Sequence, residues 1–241
     1  MELAGTRILK FLGSGNAYNT ELDNNSAYYK EDDFLFLIDC GSNIFKKILQ
    51  QNLLKEIKRV NVLITHTHPD HVGSLGDLIF YCYYKLNIKI NIIYPKINNV
   101  SSLLFKMGVT SEKYNIRENK KTFIIQMNNL KNIEIETIEQ NHIDFFDNYG
   151  YILKINNYTC FYSGDSNEIK DEILNRIDEF HFLYQDTCKL DFNNNPHLSL
   201  NKLCKYIEPS YRKKVYCMHL DEVFDREKAI DLGFNVVKNE Y

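Results

Sequence analysis

Thr65-His66-Thr67-His68-Pro69-Asp70-His71-Val72-Gly73 sets four candidate metal ligands within six residues. The stretch follows an apolar run over 60–65 that reads as a buried strand, and it leads into 72–86, which reads as a helix. A turn leaving a strand can aim His66 and His68 at one point, and Asp70 and His71 at a second point close by. Neutral imidazole and carboxylate suit zinc and other borderline divalent ions. The chain has seven histidines and three of them fall in this one turn, which favours a metal site over a solvated loop with chance histidines.

The remaining candidates lie far along the chain but in the same kind of place. His142 ends a strand-like region, His219 follows the apolar run VYCM, and Asp165 sits in Tyr162-Ser163-Gly164-Asp165-Ser166, just past a strand. Functional loops of open sheets occur at such strand-to-loop transitions. Each of the three alone would read as structural. Together they complete the count for two tetrahedral-like sites, with about three terminal ligands each plus one bridging carboxylate.

The frame around these residues is that of a mixed α and β domain. Strands are expected at 8–12, 34–38, 60–65, 88–94, 122–127, 132–138, 149–155, 158–162, 180–184, 214–218 and 234–238. Helices are expected after a Ser42 N-cap through Ile44, Phe45, Ile48 and Leu49, and over 72–86, 168–177, 199–207 and 226–232. The polar segments 114–121 and 191–196 read as loops inside one domain spanning 1–241. Periodicity alone does not give the topology.

Composition narrows the class. The 241 residues are 44% hydrophobic and 25% charged with ten glycines and four prolines, which excludes disordered, collagen-like and coiled-coil chains. Lys plus Arg is 29 against 32 for Asp plus Glu, a formal charge of -3, and a protein gripping many phosphates of a large nucleic acid is usually basic. No apolar run is long enough to span a bilayer, and MELAGTRILKF has no signal-peptide layout, so the cytoplasm is the expected compartment. The six cysteines are scattered without a C-x-x-C pair, and are expected to be reduced, several of them as small buried hydrophobes.

The string His66-x-His68-x-Asp70-His71, followed in order by His142, Asp165 and His219, resembles the metallo-β-lactamase superfamily of dinuclear metallohydrolases along nearly the whole chain. The resemblance implies an αββα sandwich of two mixed sheets flanked by helices. It assigns His66, His68 and His142 to one metal and Asp70, His71 and His219 to the other, with Asp165 bridging; zinc is the expected metal and manganese the alternative. Phe11-Leu12-Gly13-Ser14-Gly15, Asn25-Ser26 and Ile38-Asp39-Cys40-Gly41 are similar to the ribonuclease Z-like phosphodiesterase branch. In that branch a histidine opening the helix before the last ligand strand acts near the leaving oxygen. Here that is His197, with Asp186 in the place of the acidic residue that orients it. Asp70, His197 and Asp186 are therefore the expected catalytic residues, and Asp39 and Ser163 the expected hydrogen-bonding support. His181 has no motif role.

Two departures point away from transfer RNA. Residues 143–164, between His142 and Asp165, are largely consumed by two strands, leaving no room for the long arm that grips tRNA in the short-form enzymes. Leu220-Asp221-Glu222 adds negative charge after His219 where the family usually carries serine and arginine. A small armless member is similar to the cyclic-nucleotide phosphodiesterases of the superfamily, which include the anti-Pycsar proteins of phages and bacteria that destroy cyclic mononucleotide immune signals. The resemblance then implies hydrolysis of 3′,5′-cyclic mononucleotides through a hydroxide bridging two metals, in a homodimer; the charge balance disfavours a large nucleic acid as partner, and no membrane is expected. The alternatives are a tRNA 3′-end endonuclease or another phosphodiesterase, flavin-linked di-iron redox chemistry, for which there is no appended flavin domain, and a nucleotide-sequestering protein that keeps its metals for structure.

Overall fold

Successive residues of the strand Tyr158–Tyr162 enter different cores: Cys160 and Tyr162 join one apolar cluster, and Phe161 the other. Leu183 and Tyr184 divide in the same way, as do Cys217 and Met218. A period of two with apolar side chains on both faces requires cover on both faces. The computed structural model describes residues 8–128 and 130–240, and shows how that cover is supplied.

Strands β1 (Lys10–Gly13), β2 (Ser26–Glu31) and β3 (Phe34–Ile38) lead through helix α1 (Ile44–Gln50) to β4 (Arg59–Leu63). Helices α2 (Pro69–Val72) and α3 (Leu75–Leu86) lead to β5 (Ile90–Tyr94), and α4 (Ile97–Lys106) to β6 (Tyr114–Glu118). These six strands lie side by side in chain order, antiparallel up to β3 and parallel from there on. The second sheet takes β7 (Thr122–Gln126), β8 (Asn132–Glu139), β9 (Tyr149–Ile155), β10 (Tyr158–Tyr162), α5 (Asp171–Leu174), β11 (Phe182–Asp186), α6 (Leu200–Tyr206), β12 (Val215–Met218), α7 (Arg226–Asp231) and β13 (Asn235–Val236). It too keeps chain order, antiparallel from β7 to β10 and parallel from β10 to β13.

The sheets face one another across the larger core, where the rings of Phe11 and Tyr184 meet at 5.4 Å. Ile44 and Ile48 of α1, Leu78 and Ile79 of α3, and Leu104 of α4 cover the first sheet. Ile173, Leu203 and Ala229 from α5, α6 and α7 cover the second against Phe161, Leu183 and Cys217. The expected αββα sandwich is the observed architecture. Its parallel strands β3, β4, β10, β11 and β12 end in the loops that hold Asp39, Thr65 to His71, Asp165, the Asp186 region and His219, the end of a sheet where such folds place their ligands.

Several local expectations give way to context. The segment expected as a polar loop at 114–121 contains β6, paired in parallel with β5 from Ile90↔Tyr114 to Tyr94↔Glu118; it is an edge strand, which tolerates a polar sequence such as YNIRE. The helix expected over 72–86 is broken at Gly73-Ser74: Gly73 still closes a helical turn onto the Pro69 carbonyl, but Ser74 leaves the helical conformation at φ -108° and ψ 15° and gives its N–H to the Cys40 carbonyl at 3.1 Å. Ser42 is not the N-cap of α1. Asn43 occupies that position, and the Ser42 hydroxyl donates to the Pro69 carbonyl at 3.0 Å, tying α1 to the histidine turn. The helix expected at 168–177 shrinks to the single turn α5. Strand β2 and helix α4 were not anticipated; Asn98, Asn99, Ser101 and Ser102 give α4 a weak intrinsic helical signal. All six cysteines are free, five of them buried. Among the described residues no helix is long and apolar enough to cross a membrane.

Candidate metal centre

The histidine turn is built on Asp39. This residue adopts φ 62°, a left-handed conformation that Asp tolerates better than most side chains, and its carboxylate thereby turns back onto the end of β4. Its Oδ1 accepts the backbone N–H of Thr65 at 2.8 Å, and its Oδ2 takes the Thr65 hydroxyl at 2.7 Å and lies 2.8 Å from His71 Nδ1. With Nδ1 donating to Asp39, His71 directs Nε2 inward as a lone pair. Fixing an imidazole tautomer through its other nitrogen is the usual support for a metal ligand.

Asp165, delivered by the left-handed Gly164 after β10, stands at the middle. Its Oδ2 lies 3.7 Å from His66 Nε2 and 3.8 Å from His142 Nε2, while its Oδ1 lies 3.3 Å from His71 Nε2 and 3.4 Å from His219 Nε2. Asp70 Oδ2 closes the second group at 3.3 Å from His71 Nε2 and 3.4 Å from His219 Nε2. One ligand atom from each of His66, His68, His142 and Asp165 falls within 4.8 Å of the others, and the same holds for Asp70, His71, Asp165 and His219. All seven side chains expected to hold metal are brought together, in the two groups expected, and Asp165 is shared.

The donor chemistry fits a pair of divalent cations. Nε2 of His71 and Oδ1 of Asp165 are buried without a hydrogen-bond partner, an arrangement that is unfavourable unless something positive lies between them. Burial, with His71 close by, holds the His66 imidazole well below its ordinary pKa, and burial together with His142 lowers that of His68, so both present neutral lone pairs. Burial opposes charge on His71 and His219 as well, yet Asp165 with Asp70 and Asp39 lifts His71 well above the ordinary value, and Asp165 with Asp186 lifts His219 to about 10. The carboxylates thus call for positive charge inside the cluster, the role a bound cation takes over from these protons.

A second layer steadies the ligands. His142 donates from Nδ1 to the Pro196 carbonyl at 3.1 Å, and His68 stacks on Phe146 at 4.5 Å. Asp186 Oδ2 lies 2.7 Å from His197 Nδ1 and accepts the Ser166 N–H at 2.9 Å, while its Oδ1 is 3.4 Å from His219 Nδ1. Asp186 outweighs the effect of burial and keeps the His197 imidazole above its ordinary pKa. Ser163 accepts the Asp186 N–H at 2.9 Å, so its support reaches that residue rather than a metal ligand directly. The sequence reading missed Phe146 and the Pro196 carbonyl, since neither a ring two residues before Asn148 nor a backbone oxygen carries any motif. His181 accepts the Thr159 N–H at the far end of β10 and stands apart from the centre.

The centre opens into a cleft of about 390 Å³. His68, Asp70, His142, Asp165, His197 and His219 line its floor, and Tyr18, Leu190, Phe192, Asp221 and Glu222 its walls.

The chain is 29% identical over 232 residues to an anti-Pycsar protein Apyc1 of Paenibacillus harenae, covering 90% of this chain and 91% of the relative. It is 28% identical over 236 residues to one from Bacillus phage BSP38, covering 89% of each. Among solved structures, the metallo-β-lactamase fold protein YhfI of Bacillus subtilis superposes with a TM-score of 0.74 over 97% of both chains at 12% identity, a likeness of fold. The family model described as anti-Pycsar protein Apyc1 matches residues 8–240, and the chain belongs to that family.

Proposed function

We propose that the chain is a metal-dependent phosphodiesterase that hydrolyses 3′,5′-cyclic mononucleotides to nucleoside monophosphates. Membership of the anti-Pycsar family and the His/Asp centre support a metal-dependent hydrolase, and the arrangement of His197 carries the narrower reading. Two divalent ions, zinc or manganese, would be held by His66, His68 and His142 on one side and Asp70, His71 and His219 on the other, with Asp165 touching both; they supply Lewis acidity toward a phosphodiester and lower the pKa of water.

The chain's own groups do the rest. Asp39 keeps the proton of His71 on Nδ1, so that Nε2 stays a ligand. His197 gives Nδ1 to Asp186 at 2.7 Å, which leaves Nε2 as the nitrogen that can donate a proton to the departing ribose oxygen. Its side chain is 23% exposed at the cleft and its ring packs 5.0 Å from that of His219, so the donor sits beside the metal centre and within reach of a substrate. Asp186, wholly buried, holds the imidazolium in orientation.

The test is incubation of the metal-loaded protein with cyclic AMP, GMP, CMP and UMP, with nucleoside monophosphate as the product; absence of turnover with all four rejects the proposal. Precursor tRNA belongs in the same assay. β9 and β10 fill most of the stretch between His142 and Asp165, which supports a small substrate over tRNA. Assembly as a homodimer is part of the same proposal, and sedimentation mass tests it.

A further inference from the structure

The polar floor of the cleft accounts for a phosphodiester, but not for its walls. Tyr18 is 77% exposed, and Leu190 and Phe192 are each 54% exposed, all at the mouth of the same cleft. Large apolar side chains held open beside a polar centre suit a flat apolar ligand group.

Both walls are pinned, and to the same place. On one side, Asn16 Oδ1 accepts the Tyr18 N–H at 3.0 Å, the Asn16 N–H donates to the Leu220 carbonyl at 3.0 Å, and Asn19 Nδ2 donates to the carbonyls of Leu220 at 3.1 Å and Asp221 at 3.2 Å. On the other side, Asp221 Oδ2 accepts the N–H groups of Lys189 at 2.9 Å and Leu190 at 3.3 Å. Asn195 completes that wall, donating from Nδ2 to the Leu190 carbonyl at 2.8 Å and accepting the His197 N–H at 3.0 Å. The segment just after His219 therefore fixes both walls relative to the metal ligands and His197. The unusual Asp221 finds its use here as a brace between them. A backbone held in this way presents its rings without a large ordering cost on binding.

We propose that Tyr18 and Phe192 form the nucleobase subsite of the cleft, taking the face of the purine or pyrimidine while the phosphate lies on the histidine floor. The proposal rests on the cyclic-nucleotide reading above. Every nucleobase offers a π face, so such a platform takes all four bases, and removing one aromatic partner weakens binding by about tenfold or more.

Steady-state kinetics of the metal-loaded protein on cyclic AMP test it, with Tyr18→Ala, Phe192→Ala and Tyr18→Phe beside the parent. Both alanine variants are expected to raise KM about tenfold or more while Tyr18→Phe keeps the parental KM, and the loss on cyclic AMP should exceed that on ribose 3′,5′-cyclic phosphate, which has no base. Parental KM in both alanine variants, with turnover intact, overturns the subsite and leaves the phosphodiesterase reading standing. A parent that turns over no cyclic nucleotide overturns both.

Discussion

His197 Nδ1 lies 2.7 Å from Asp186 Oδ2, and the other oxygen of the same carboxylate lies 3.4 Å from Nδ1 of His219. One buried carboxylate thus hydrogen-bonds a candidate proton donor and stands at ion-pair distance from a candidate metal ligand, which links the donor's place to the metal centre. Two imidazoles set by one anion form a single unit, and their substitutions should be non-additive.

His197→Ala is expected to lower kcat on a cyclic nucleotide by roughly 10²–10⁴-fold, the range of a lost general acid, with metal content unchanged. The loss should be much smaller on bis(4-nitrophenyl) phosphate, whose leaving group needs little protonation. Asp186→Asn should fall between the parent and His197→Ala. An equal loss on both substrates would argue against proton donation.

Asp39→Asn keeps the shape of the side chain and the tolerance for the left-handed backbone at φ 62°, but removes the charge facing His71. Metal affinity, read by competition with a chromogenic chelator, should fall about 10–100-fold. An unchanged affinity would show that Asp39 serves only the backbone of Thr65.

Gly41→Ala tests the packing beneath the ligand turn. A methyl group at Gly41 would run into the Asp70 carbonyl and the Asn24 side chain. The expected destabilisation is about 1–3 kcal/mol, lowering Tm by about 2–4 °C for each of them, with weakened metal binding because Asp70 must shift. A variant as stable and as metal-rich as the parent would contradict this.

Burial pushes the thiols of Cys40, Cys82, Cys188 and Cys217 up to about 12, and that of Cys160 higher still. A group whose pKa lies that far above neutral is a thiol and not a thiolate at pH 7–8, and reacts slowly. Titration with a disulfide reagent should find one fast thiol in the native chain, the partly exposed Cys204, and six after denaturation. Several fast native thiols would contradict the packing.

The centre was legible in the sequence because its ligands sit in one dense turn and at three strand ends, and a strand end is where the chain can aim a side chain without a helix to carry it. His66, His68, Asp70, His71, His142, Asp165 and His219 meet as that pattern implied. The pairing of His197 with Asp186 was legible only through the resemblance, since the two residues sit on separate elements. What stayed hidden depends on neighbours that local chemistry does not report. β6 is polar because it is an edge, β2 is recognised by its pairing with β1 and β3, and the break between α2 and α3 comes where the Ser74 N–H turns to the distant Cys40 carbonyl. The tie from Asp221 to Lys189 and Leu190 spans about thirty residues, and only the folded chain displays it.

Elemental analysis of the protein, loaded with zinc or manganese and then desalted, tests the central claim most directly. Two divalent ions per chain are predicted, with loss of stoichiometric binding when His66, His71 and Asp165 are replaced together. Fewer than one ion per chain in the parent, or a count that survives those replacements, would contradict it.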